Sequence, residues 1–419
     1  MAEDKKQYDV FKGLLNGNQV NTLSDEILIK EVQTKTCEQL NGSSQVYVLH
    51  DPCDIRKPSA PAMEHIGKVM SLSKTVVNGY RTFNSVAIDP DKQGVNFLSH
   101  TIYSTNMPNY VKQDVLEKIN EADAHIQQMV EKGEHINTSI IFKKHLKESK
   151  DVLKKNNPDV KITHVLDREF DNEDFFETIT EQEDHFIARI KLSRLSNNTK
   201  ICYTAKGKIS KRKTFQKLVD KEFKNRGEYI IEKLNIKGKI YPDVRCVLEW
   251  EPIELNQKEY SVVRITLWVG NKTLFDHPML LITNNKINTL EEARSIYKGY
   301  ILRFKIEVVF RFLKQNLGWE DFQVRDFESI KNLLAIAFFL VGYFKELEEE
   351  LKQHPLALFL CDLALSKGKI TLFYLLEGLT KVANFQEVSK WMIENNISKE
   401  ELDQLVQQIQ GTDGLLRSL

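Results

Sequence analysis

The chain has 419 residues, enough for two or three domains around a large core, and its 41% hydrophobic and 28% charged content describes a globular protein and excludes long disorder. Its 59 basic residues balance 59 acidic ones. A net charge of zero argues against a protein that coats nucleic acid indiscriminately.

Residues 1–44 read as a short, polar, helical segment, with Ser24 before Asp25 and Glu26 as its cap. QVYVLHD, 45–51, is a continuous apolar run that suits a strand covered on both faces, ending on Asp51 and the breaker Pro52. FNSVAI and VNFLSHTIY flank DPDKQG, a hairpin signal in which Asp89 is a turn former. Long helices are expected over about 111–133 and 138–155, up to Pro158. VKITHVLD then repeats the buried-strand pattern and ends on Asp167; a helix over 172–183 and a strand over 185–191 follow. Residues 192–285 change character, with YIIEKLNI, VRCVLEW, YSVVRITLWVG and HPMLLIT as strands divided by turns. The order predicts an α/β fold. Its core is a mixed sheet over 45–191, interrupted by a β-rich insertion at 192–285 and resumed at 286–325, with a helical C-terminal region at 326–419.

Charge is unevenly spread. From Arg189 to Arg226 there are thirteen Lys or Arg against Asp220 and Glu222, whereas Asp167 to Asp184 holds nine acids and one cation, Arg168. A basic flank beside an acidic cluster suits a metal-dependent enzyme acting on a polyanion, and equally a pair of solvated segments. Cys37, Cys53, Cys202, Cys246 and Cys361 are scattered without a CxxC, which predicts a reduced compartment and no zinc site. The N-terminus has no apolar stretch for export, and the longest apolar run, Leu333 to Phe344, is too short to span a bilayer. The expected location is cytoplasmic.

No Gly or Pro interrupts the stretch between Gly299 and Gly318, which therefore reads as a helix. Tyr300, Arg303, Glu307 and Lys314 fall within one arc of about 60° on it, spread along about 21 Å of axis. Leu302, Ile306, Val308, Val309, Phe312, Leu313 and Leu317 fill the rest, predicting a helix buried on most sides. Two strand-end aspartates and this glutamate could form a three-carboxylate site for Mg²⁺ or Mn²⁺, which prefer hard oxygen ligands. Two such ions about 4 Å apart would activate a water or a 3′-hydroxyl and stabilise the leaving oxygen of a phosphodiester. Each acid alone has a plainer reading: Asp51 as a turn residue, Asp167 as a helix cap, Glu307 as the ion-pair partner of Arg303 and Arg311.

The spacing Tyr300, two residues, Arg303, three residues, Glu307, six residues, Lys314 is similar to the Tyr-Arg-Glu-Lys signature of bacterial insertion-sequence transposases, which have a DDE triad and an RNase H-like fold. The resemblance extends to VLDREFD around Asp167, FIARIK at 186–191 and VYVLHD at Asp51, and covers roughly 45–345. It implies that Asp51, Asp167 and Glu307 are catalytic metal ligands for Mg²⁺ or Mn²⁺, two ions in all. Tyr300, Arg303 and Lys314 would grip phosphates at the transposon end, and Arg189 would contact DNA. Met279 stands where relatives stack a flipped base on tryptophan. The resemblance further implies double-stranded DNA partners, namely terminal inverted repeats and target, a homodimer in the synaptic complex, and a nucleoid-associated bacterial protein. The implied reaction is nicking, hairpin formation, hairpin opening and strand transfer. Alternatives are a nuclease on the same fold and a catalytically silent DNA-binding remnant.

Overall fold

The computed structural model describes residues 24–400, apart from 93, 194, 204–208, 237–238, 256, 352–354, 366–370, 395–397 and 399. Most of the expected N-terminal segment, the end of the C-terminal region and the side chains of 194–217 in the basic segment lie outside the described residues. The chain opens on α1 (Asp25–Gln39), where the Ser24 hydroxyl accepts from the Ile27 amide as foreseen and two acids stand in the first turn. This helix is bonded into the core: Gln33 and Thr36 donate to the carbonyls of Leu98 and Phe97 at 2.8 and 2.6 Å.

Next come β1 (Gln45–Arg56), β2 (Gly67–Met70), β3 (Val76–Ile88) and β4 (Asn96–Tyr103). β1 does not stop at Pro52 but pairs with β3 as far as Arg56 opposite Gly79. A proline fits there because the neighbouring strand on the other side has already left, so β1 is an edge on that side. The expected helix over 111–133 divides into α2 (Gln113–Leu116), a 3₁₀ turn (Ile119–Glu121) and α3 (Ala124–Glu131). Ala122 and Asp123 are extended there, and the Gln127 amide satisfies the Ala122 carbonyl at 2.8 Å.

α4 (Thr138–Asn156), β5 (Lys161–Leu166), α5 (Glu173–Glu181) and β6 (His185–Arg189) complete the first part. β1 lies antiparallel to β3 and parallel to β5, and β5 is parallel to β6. The basic segment, not foreseen as strand, forms the separate hairpin β7 (Leu195–Tyr203) and β8 (Ile209–Lys217). β9 (Asn225–Ile236), β10 (Lys239–Leu255), β11 (Lys258–Val269), β12 (Lys272–Thr273) and β13 (Met279–Thr283) extend the main sheet, with β13 joined to β6. The order across it is β2-β3-β1-β5-β6-β13-β11-β10-β9, with β4 on β3 and β12 on β11.

Helices cover both faces of the early strands. On one face Phe142 and Leu146 of α4 and Phe176 of α5 form a core with Leu166 of β5 and Phe186 of β6. On the other lies α6 (Leu290–Ile301), which starts with a capping box between Thr289 and Glu292. Its Gly299 is pressed so closely onto Tyr47 and Ile187 that a Cβ there would come within 2.7 and 2.8 Å of their side chains. α7 (Phe304–Asn316) and α8 (Phe327–Leu351) follow, and the chain divides into two units after Leu340. In the second unit α9 (Pro355–Leu363) and α10 (Leu372–Glu394) pack through Ala357, Cys361 and Leu375. Among the described residues no helix is long and apolar enough to cross a membrane. The architecture is the expected RNase H-like mixed α/β sheet with a helical C-terminal region.

Candidate active site

The sheet places two of the acids by register alone. The parallel ladder of β1 and β5 ends at His50 opposite Leu166. Asp51 and Asp167 are the next residue on each strand, so alternation turns both to the face that Tyr47 and Leu49 share with α6. Arg189 continues the row, because Ile187 pairs with Val165 on β5 and Arg189 stands two residues further on. Leu281 pairs with Arg189, which puts Met279 on that face too, half-buried at the start of β13. The helix near Asp171 that Asp167 could have capped is capped by Asn172, whose side chain accepts from the Asp174 amide, and Asp167 makes no capping bond to the 3₁₀ turn Arg168–Phe170 either, so the helix-cap reading does not hold.

The third acid arrives from α7, and the single helix expected over Tyr300–Lys314 is in fact two. Leu302 and Arg303 stay in the right-handed region but lie between α6 and α7, where Lys305 and Ile306 bond back three residues, to Leu302 and Arg303, instead of four. Neither glycine nor proline marks this joint. It coincides with two polar side chains that are drawn into the protein: Tyr300 is wholly buried and Arg303 nearly so. The expectation of a helix buried on most sides also fails, since Ile301, Phe304 and Val308 are exposed at 36, 44 and 59%.

At the joint the three acids meet their partners. The Tyr300 hydroxyl donates to Asp167 Oδ1 at 3.2 Å. Arg303 donates from Nη1 to Asp51 Oδ2 at 3.3 Å and from Nη2 to Glu307 Oε1 at 2.7 Å. Among the described residues the buried Arg303 Nε has no hydrogen-bond partner, and the guanidinium lies 5.2 Å from the Phe304 ring centre. One arginine and one tyrosine, three residues apart, thus link Asp51, Asp167 and Glu307.

The electrostatics follow from burial. Desolvation pushes the Asp51 carboxyl up to about 7; Arg303 pulls it down, and Asp167 and Glu307 push it up further. Burial works against the charge of Arg303, but Asp51 and Asp167 outweigh it, so its pKa is raised and it stays a cation. Tyr300 is pushed up to about 12 by burial and by Asp167, and its hydroxyl keeps its proton and remains a donor.

Lys314 is less central than its place in the signature suggests. Its ammonium donates to the Asp54 carbonyl at 2.6 Å and to Glu320 Oε1 at 2.9 Å, at the end of β1. A second pair borders the acids: Arg81 donates to both oxygens of Glu169 at 2.6 and 2.7 Å, and Asp54 lies 3.8 Å from its Nε. Glu169 and Glu320 were not singled out from the sequence. Glu169 could have been found, two residues past Asp167; Glu320 and Arg81 carried no signal beyond their charge.

The donor chemistry of the three acids suits a hard divalent cation. Among the described residues no three His, Cys, Asp or Glu side chains stand close enough to enclose an ion, and here Arg303 lies between Asp51 and Glu307. The guanidinium stands where these acids demand positive charge. The acids suit a hard cation by their chemistry, while in this arrangement the Arg303 guanidinium, not an ion, bridges Asp51 and Glu307.

No curated protein matches the chain. Residues 99–341 match the family model described as the transposase DDE domain. The match includes Asp167 and all of Tyr300–Lys314, and begins after Asp51. With more than half its length inside that match and with an RNase H-like sheet, the chain belongs to the transposase DDE domain family.

Proposed function

We propose that this transposase works by cut-and-paste, through a hairpin, as a member of the Tyr-Arg-Glu-Lys group. The observation that carries the reading is the joint at Leu302–Arg303, where Arg303 bonds Asp51 and Glu307 while Tyr300 bonds Asp167. In this reading Asp51, Asp167 and Glu307 hold Mg²⁺ or Mn²⁺, two ions, which when bound supply activation of the attacking oxygen and stabilisation of the leaving one. Tyr300 keeps the Asp167 carboxylate oriented by donating its proton to Oδ1. Arg303 exchanges its carboxylate partners for phosphate oxygens, which its planar fork suits. Arg189, on the same row as Asp167, contacts the DNA backbone, and Met279 touches an extruded base.

The domain reading accompanies this one: a core over 45–191 and 286–325, an insertion over 192–285 and a helical region over 326–419, acting as a homodimer on terminal inverted repeats and target DNA in the bacterial nucleoid. The test is to incubate the purified protein with a DNA fragment carrying the element's ends, with and without Mg²⁺, and to size the products on denaturing gels. Hairpins and strand-transfer products are expected; simple breaks would point to a nuclease, and binding without cleavage to a silent remnant. Glu307→Gln and Asp167→Asn should stop cleavage and leave end binding intact, and cleavage that survives both changes would overturn the assignment.

A further inference from the structure

The end of β1 that carries Asp51 has lost its neighbour. β5 pairs with it only as far as His50, whereas the β3 ladder on the other side continues to Arg56. Beyond His50 the edge that faced β5 exposes backbone groups, and such groups need partners. The Lys57 amide donates to Asn78 of β3 at 2.8 Å, so by alternation the amide of Arg56 and the carbonyl of Asp54 point to the open edge. The nitrogen of Pro52, also on that edge, has no proton to offer.

One ion pair serves the last two of these groups. Lys314 Nζ donates to the Asp54 carbonyl at 2.6 Å, and Glu320 Oε1 accepts from the Arg56 amide at 3.0 Å. The pair closes on itself at 2.9 Å, and Arg56 Nη1 adds a contact to Glu320 at 3.6 Å. Glu320 is set in place by a tight turn after α7. Gly318 adopts a positive φ of 59°, Trp319 is 1% exposed, and the Trp319 amide bonds the Leu313 carbonyl at 3.1 Å. A donor to the i carbonyl and an acceptor for the i+2 amide are what a paired strand would supply.

We propose that Lys314 and Glu320 form an edge clamp that replaces the departed strand and fixes the part of β1 bearing Asp51. Both are then positioning residues, and Lys314 serves as a structural cation in place of the phosphate grip that its position in the signature implies. The inference rests on the reading of Asp51 as a catalytic acid. A carboxylate displaced by about 1 Å costs on the order of a hundredfold in rate, which makes such a clamp consequential.

The test is hydrogen exchange of the full-length protein, without DNA or metal, followed at the Arg56 amide. Glu320→Ala and Lys314→Met should speed exchange there by about tenfold or more, and Glu320→Gln, which keeps the acceptor oxygen, should stay near wild type. The double variant should exchange no faster than Glu320→Ala, because the two residues act as one unit. In cleavage assays Glu320→Ala should lower the rate about 10- to 100-fold, with end affinity and its salt dependence unchanged and with most of the rate restored by Glu320→Gln. Unchanged exchange at Arg56 in Glu320→Ala would overturn the clamp. So would tighter DNA binding by that variant, which would make Glu320 an occupant of a phosphate site. If the wild-type protein cuts no transposon end, the reading of Asp51 fails, while exchange at Arg56 still decides the clamp.

Discussion

His50 and Asp51 are neighbours on β1, and alternation sends their side chains to opposite faces of the sheet. His50 joins a chain of buried imidazoles and hydroxyls that ends at His164, whose Nε2 lies 3.5 Å from Asp184 Oδ2. Its Nδ1 meets the Ser85 hydroxyl at 2.8 Å and its Nε2 meets His164 Nδ1 at 2.9 Å. The same hydroxyl meets His145 Nδ1 at 2.8 Å, whose Nε2 bonds Thr101 at 2.9 Å. Burial holds the imidazoles of His50, His145 and His164 neutral, and Phe142 packs edge-on against His50. Asp51 lies instead among charges, with one arginine serving two carboxylates. A hydrogen-bonded network of neutral side chains fixes a core, whereas crowded acids oppose folding and persist where chemistry needs them.

That contrast can be broken from the charged side first. Asp167→Asn should lower strand cleavage on the order of a thousandfold or more while leaving the unfolding free energy within about a few tenths of a kcal/mol of wild type. Timed cleavage gels and urea titration on the same preparation read both quantities. A large loss of stability would show Asp167 to be part of the core instead.

The neutral side should respond in the opposite way. His50→Leu leaves the Ser85 hydroxyl and His164 Nδ1 short of a partner and should cost about 2–4 kcal/mol, measured by urea titration, with cleavage per folded molecule much less affected. Acid sharpens the same point. Folded imidazoles here bind protons more weakly than unfolded ones, since burial lowers the pKa of His50, His145 and His164 and takes His100 to about 3. Their contribution is complete above the unfolded value of about 6.5 and declines as the pH falls below it, by up to ~1.4 kcal/mol per pH unit for each residue. Unfolding midpoints measured from pH 7 down to 5 should fall, and His50→Leu should fall less steeply.

The site was more legible in the sequence than this network. Asp51 and Asp167 each end an apolar run, and Tyr300, Arg303 and Glu307 keep a spacing that one helical face can use. The joint between α6 and α7 was not legible, because buried polar contacts of Tyr300 and Arg303 break the helix where no glycine or proline announces it. Pro52 misled because a proline stops a central strand but not an edge, and which side of β1 is an edge depends on how far β5 runs. Glu320 owes its place to that same edge. The four buried histidines, His50, His100, His145 and His164, are scattered along the chain, and singly each resembles any surface histidine. The basic hairpin β7–β8 lacks the apolar alternation by which strands are recognised.

The smallest effect is the most diagnostic. Burial pushes the Asp51 carboxyl up to about 7 in the folded protein, against about 4 when unfolded, so the fold favours its protonated form. That contribution is present below the unfolded value and is lost as the pH rises through about 7, so above neutrality the ionised, buried group works against folding. Asp51→Asn removes the charge at nearly constant shape. It also deprives Arg303 of one of its two carboxylates, which offsets part of the gain. The net expectation is a variant inactive in cleavage yet about 1 kcal/mol more stable at pH 8, with the advantage vanishing by pH 5. Urea midpoints of the two proteins at these pH values would decide it: a destabilised variant at pH 8 would mean that the bond to Arg303 outweighs burial. Asp51 would then belong with His50 as a support of the fold.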